Sequence, residues 1–335
     1  MRNSFRLYAL SVVLLLLSGC NRNPFDVNLK EKLAVTVNRF DLAFDSLRNG
    51  SLEEQLPAFI EAHRQWLPLY CNQVIRVGDV YSAQLPAQIR SFFAFPEYEA
   101  IASVINEKFP NDSALSQSLS DAFSYYHYYF PEKRIPAIYT FNGGFNQSIV
   151  VADSVIAVGL DKYLGADSKF YYQLGIDRYK IEKMTPERIP FDIVSAHILS
   201  EHENTFMGGT LLAEIIHQGR CMYLLNACFP QEADTLLWGV SNEKMQWLHA
   251  SERSMWEYLV EKKQLFETKY MTIQKFTGEG PFTAPFSKES PARAAVWVGY
   301  RIVKGFMENE PSFSMEQLFA LNDCQFVLSR SKYNP

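Results

Sequence analysis

The chain has 335 residues, a formal net charge of −5, and 47% hydrophobic and 14% aromatic content. That balance excludes a disordered chain. Its acidity argues against a nucleic-acid partner, which would call for a basic face.

Arg2 and Arg6 precede an apolar run from Leu7 to about Leu17, and Leu17-Ser18-Gly19-Cys20 follows. The run is too short to span a bilayer comfortably. A leucine, two small residues and a cysteine directly after it form a lipobox-type export signal. Residues 1–19 therefore read as a signal peptide, residues 20–28 as a lipidated tether acylated on Cys20, and residues 29–335 as a single domain. No Pro/Gly/Ser-rich linker interrupts residues 30–330, which favours one domain of two intimate lobes. Loss of the signal removes two arginines and no acid, taking the formal charge from −5 to −7. Acyl chains contribute about 0.8 kcal/mol per buried methylene, enough to hold a domain at a membrane.

Four further cysteines, Cys71, Cys221, Cys228 and Cys324, show no zinc spacing. Cys221 and Cys228 lie about 10.5 Å apart along one expected helix, beyond disulfide reach. All four are expected as buried free thiols.

Ala34 to Val37 alternates weakly as a first strand, and a brief helix is expected from Arg39 to Leu47. Helices are expected over 52–64 and 97–109, then from a Ser113 cap to Tyr129, stopped by Pro131. Ile135–Phe141, Gln147–Val151 and Val155–Gly159 are β-rich, separated by Asn142-Gly143-Gly144 and Asp153-Ser154 turns. Three consecutive short strands predict a small antiparallel sheet. Helix resumes over about 190–203, 210–229, 242–263, 291–309 and 314–321, so the fold class is α+β and mostly helical.

A small sheet followed by two helices is the element order of a zincin metallopeptidase. Such enzymes place H-E-x-x-H on the first helix, because residues four apart share a face and ligate one zinc. Here the first helix reads His197-Ile198-Leu199-Ser200-Glu201, with isoleucine where the general base would stand. His217 on the second helix would fall in the region of a third ligand. A second register, Ala213-Glu214-Ile215-Ile216-His217, keeps the base but replaces the first ligand with alanine. Catalytic zinc needs three protein ligands and an open position, so His197, Glu201 and His217 read as a degenerate metal site. No catalytic residue, metal or cofactor is expected. Two other classes stay open: a metallohydrolase with non-standard ligands, and a glycan- or peptide-binding protein using the aromatic run Tyr125 to Phe130.

Several segments together resemble the GldB gliding-motility lipoproteins of Bacteroidetes. They are Arg39-Phe40-Asp41, Gly159-Leu160-Asp161-Lys162-Tyr163-Leu164-Gly165, and His217-Gln218-Gly219-Arg220 through Leu225. Glu289-Ser290-Pro291-Ala292-Arg293, Trp297 to Val303, and the terminal Ser331-Lys332-Tyr333-Asn334-Pro335 complete the set. Ala292 stands where the pattern leads one to expect glycine. The resemblance implies an envelope lipoprotein without enzymatic activity, working with proteins of the gliding machinery, and a distant likeness to zincin-type proteases. Asn21, rather than aspartate, after the acylated cysteine implies the outer membrane, with the domain in the periplasm. The resemblance to a Bacteroidetes family also implies that phylum's O-glycosylation pattern, matched at Asp45-Ser46-Leu47, Asp112-Ser113-Ala114, Asp153-Ser154-Val155 and Asp234-Thr235-Leu236, with Ser154 in an exposed turn the best placed.

Overall fold

A computed structural model describes residues 24, 25 and 27–335; Cys20 and the signal lie outside the described residues. Four strands form one sheet in the order β1-β2-β4-β3: β1 Val37–Asn38, β2 Ala137–Phe141, β3 Ile149–Ala152 and β4 Val155–Gly159. The α-helices of five or more residues are α1 Phe40–Ser46, α2 Leu52–Ala62, α3 Leu85–Phe93, α4 Tyr98–Lys108 and α5 Ser113–Tyr129. After the sheet come α6 Lys169–Gln173, α7 Ile189–Glu201, α8 Leu211–Cys228, α9 Asp234–Trp238, α10 Asn242–Glu261, α11 Tyr270–Thr277, α12 Ala294–Asn309, α13 Met315–Ala320 and α14 Cys324–Ser331. The α+β class, mostly helical, is as the sequence indicated.

The expected antiparallel meander is corrected. β3 and β4 form the antiparallel hairpin across Asp153-Ser154, but β4 pairs with β2 in parallel, and β2 pairs with β1 in parallel. The segment between β2 and β3, with Gly144 at φ 61° and Phe145 at φ 63°, carries the chain past the slot that β4 then fills. The expected first strand also shortens. Only Val37 and Asn38 pair with β2, while Leu33 and Val35 donate their N–H groups to Ser124 and Ser120 of α5. Asp112, not Ser113, occupies the N-cap of α5, and its side chain makes no cap bond.

The two faces of the sheet bury two separate cores. Phe40, Phe44, Trp66, Tyr70 and Ile89 pack with Phe141, Val155 and Ala157 on one face. Ile138, Ile156 and Val158 face α5, α7, α8 and α12 on the other. α8 is hydrophobic almost all round, as a helix enclosed by neighbours must be; α5, α7 and α12 pack against it. Its crossing with α12 is unusually close. A Cβ on Gly299 would sit 1.7 Å from the Ile215 carbonyl oxygen, and one on Gly219 would sit 2.3 Å from the Gly299 carbonyl carbon. Only paired glycines permit that backbone approach. All four cysteines among the described residues are buried free thiols.

Candidate functional site

His197 projects from α7 between the rings of Phe123 and Tyr126, at centroid distances of 5.4 and 4.6 Å. It is buried, its Nε2 has no hydrogen-bond partner among the described residues, and burial pushes its pKa down to about 4. Glu201, one turn on, is tied to Lys133 at 3.0 Å. His217 accepts hydrogen bonds on Nδ1 from Arg220, at 3.3 Å from Nε and 3.2 Å from Nη2. A neutral imidazole that accepts on Nδ1 carries its proton on Nε2, so neither nitrogen offers a metal a lone pair. Burial first, and Arg220 second, depress its pKa to about 4. Sequence reasoning passed over His202, whose Nε2 lies 3.2 Å from the Tyr126 hydroxyl and whose pKa burial lowers to about 3.

The organising group here is Arg220, fully buried in α8. It donates to the carbonyls of Phe319, Leu321 and Glu203 at 3.2, 3.3 and 3.2 Å and to the Thr205 hydroxyl at 3.1 Å. Phe206 and Phe319 flank its guanidinium at 4.4 and 5.1 Å. A buried cation is tolerated only when its donors are satisfied, and the segment after α7 and the C-terminal end of α13 supply the acceptors. No group of three or more His, Cys, Asp or Glu side chains among the described residues is arranged to hold a metal ion. The peptidase-like reading therefore rests on element order alone.

A second region went unnoticed in the sequence. A cleft of about 730 Å³ opens between the segment leading into α7, the α9–α10 corner and the loop before α12. Its floor is apolar, with Met222, Leu225 and Leu237, and Trp238 lines it. Its rim is charged. Lys183 and Arg293 both grip Glu279, at 2.7 and 3.4 Å. Burial opposes the charge on Glu279, yet the two cations hold its carboxyl below the usual range. Arg188 bonds to Asp192 and to the Leu236 carbonyl, and Asp192 also accepts from the Tyr163 hydroxyl at 2.9 Å. Arg293 holds a left-handed φ of 59° at the start of α12 and donates to Gln218 of α8 at 3.1 Å. These walls come from residues more than a hundred positions apart, and no local pattern marks them.

No residue of the aromatic run lines the cleft described above. Tyr126 and Phe130 belong to the core, and only Tyr128 of the run is well exposed, at 50%. Of the glycosylation candidates, Ser46 and Ser113 are exposed on helix ends, Ser154 is exposed in the β3–β4 turn, and half-buried Thr235 lines the cleft.

A family model described as gliding motility protein GldB matches residues 21–335. The chain belongs to the GldB family. No curated protein and no solved structure matches it. GldB is a gliding-motility protein by its family description, and the family label marks it as a lipoprotein. No helix among the described residues is long and apolar enough to cross a membrane.

The segments that carried the resemblance are mostly polar knots inside the GldB fold. Arg39 forms a forked pair with Asp41, at 2.9 and 2.7 Å, and donates to the Phe109 carbonyl at 2.8 Å. Asp161 is fully buried and accepts from the Phe145 N–H; burial raises its pKa to about 6. Glu252 accepts from Trp297 Nε1, Arg301 Nε and the Tyr333 hydroxyl at 3.2, 2.9 and 3.1 Å, which anchors the terminal segment. Two of these segments reach the cleft, one through Met222 and Leu225 on its floor and the other through Pro291, Ala292 and Arg293 on its wall.

Proposed function

We propose that this GldB chain is a non-catalytic, lipid-anchored envelope component of the gliding machinery, and that it works by engaging other proteins. One observation carries the reading: each candidate catalytic side chain is either enclosed or paired by its neighbours. His197 is enclosed by two rings, Glu201 is held by Lys133, and His217 is spent on Arg220. Hydrolysis needs a base within reach of a water and a stabiliser for developing charge, and the position between His197 and Glu201 that would supply the base is isoleucine. The anchor is Cys20, and the placement we favour is the outer membrane with the domain in the periplasm.

The cleft is where we place partner contact. An apolar floor under paired charges suits a protein segment that brings a carboxylate to Lys183 or Arg293 and an apolar side chain to Trp238. Affinity isolation from solubilised envelopes of a gliding host tests this reading. Wild-type protein should recover a defined set of envelope proteins, and Lys183→Glu should reduce that recovery about tenfold, the scale of a single well-placed charge contact. Recovery of no envelope protein by the wild type would defeat the proposal. Stoichiometric zinc in protein purified without chelator would favour the metallohydrolase instead.

A further inference from the structure

The start of the described chain is seated on a tyrosine-rich face. Phe25 is buried edge-on against Tyr223 at 4.9 Å. Downstream, the N–H groups of Leu33 and Val35 meet Ser124 and Ser120, at 2.8 and 2.9 Å, before Val37 enters the sheet. The strap therefore runs back along α5 and leaves Phe25 toward the C-terminal end of that helix. Tyr125, Tyr128 and Tyr129 lie there, and their i, i+3, i+4 spacing puts them on one side. Tyr129 has Tyr223, Tyr128 and Tyr125 in its surroundings, and the Tyr128 ring stands edge-on to it at 5.0 Å. Tyr128 is 50% exposed, while Tyr125 and Tyr129 are half-buried.

Covalent reach connects this face to the membrane. Five peptide steps separate Cys20 from Phe25 and span at most about 18 Å. Because Phe25 is held against Tyr223, the surface around that seat cannot swing away from a lipid on Cys20. Tyrosine is the side chain suited to such a place, with an apolar ring for the acyl boundary and a hydroxyl for the headgroups.

We propose that the face formed by Tyr125, Tyr128 and Tyr129 around the Phe25 seat rests on the bilayer surface, so that lipid and tyrosines together set the orientation of the domain. The inference rests on acylation of Cys20. A domain pinned at one residue and touching at a second patch loses its freedom to tumble and presents its remaining surface to partners in a fixed direction.

The test uses full-length lipidated protein in phosphatidylethanolamine–phosphatidylglycerol vesicles. Tyr128→Cys is labelled with bimane, and Tyr81→Cys serves as the control. Tyr81 is 79% exposed, and its neighbour Val80 belongs to the core on the opposite face of the sheet. The four cysteines of the domain are buried, so the label goes to the introduced thiol. Vesicle flotation reads the anchor, and quenching by nitroxide-bearing lipid reads the face. The expected result is co-flotation of both variants, with at least twofold stronger quenching at position 128 than at position 81. Co-flotation with equal quenching would overturn the orientation and leave the anchor standing. Failure to float would overturn both.

Discussion

The region around His197 and His217 and the cleft beside Glu279 are both rich in polar side chains, yet they spend them differently. In the first, the strongest groups are turned inward: Arg220 satisfies backbone carbonyls, the histidines are enclosed, and only the Glu201–Lys133 pair meets solvent. In the second, the cations Lys183 and Arg293 hold Glu279 at a rim that water and a partner can reach. A constellation that looks catalytic in one dimension can thus be internal scaffolding, while the accessible chemistry lies where no motif pointed. Both regions hang on α8, which carries His217 and Arg220 near its middle and Met222 and Leu225 on the cleft floor.

The largest effect should come from Arg220. Arg220→Ala leaves several buried carbonyls without a donor and opens a void between Phe206 and Phe319. Urea unfolding should report a loss of about 4 kcal/mol. Gly299→Ala comes next. Its new methyl meets the Ile215 carbonyl, the helices must part, and about 3 kcal/mol should be lost. Because the crossing supports both regions, this variant should also weaken partner recovery through the cleft.

Acid separates the regions more gently. His197, His202 and His217 have folded pKa values of about 4, 3 and 4, below the ordinary 6.5. Between these limits the unfolded chain binds more protons than the folded one. Stability is therefore complete above pH 6.5 and falls as the pH drops toward 4. Asp161 has the opposite sign: with a folded pKa of about 6 against 3.8, the folded chain holds the extra proton, and stability falls as pH rises through that range. Three groups outweigh one by about two protons, so the free energy of unfolding should drop between pH 6.5 and 4, by up to about 2.7 kcal/mol per pH unit. His197→Phe should flatten that slope, and Asp161→Asn should steepen it. The smallest effect is Lys183→Glu, which should cost about 1 kcal/mol, since the half-exposed pair contributes little and the reversal adds only a solvent-screened repulsion. A loss of several kcal/mol there would show that the rim is structural and erase the contrast between the regions.

Much of the fold was legible in the sequence where periodicity is long. α5 ends at Tyr129 as read from Pro131, and α10 begins at Asn242 and stops two residues short of the expected end. Short helices such as α3, α11 and α14 escaped notice because eight or nine residues give little periodicity to read. The pairing of β4 with β2 was not legible, because a parallel partner is chosen by nonlocal packing rather than by the turn. The i,i+4 spacing of His197 and Glu201 was read correctly, but spacing cannot tell whether a histidine faces a cavity or two aromatic rings. The cleft was invisible for a related reason, since Lys183, Glu279 and Arg293 meet only in the folded chain.

The central claim is that the His197 region serves the fold and not a reaction. The most direct measurement replaces the gene in a gliding host with His197→Phe, after confirming by urea unfolding at pH 7.5 that the variant keeps wild-type stability within about 1 kcal/mol. The account predicts colonies that spread like the wild type and an unchanged set of recovered envelope proteins. Loss of spreading by a normally folded, normally abundant variant would contradict it.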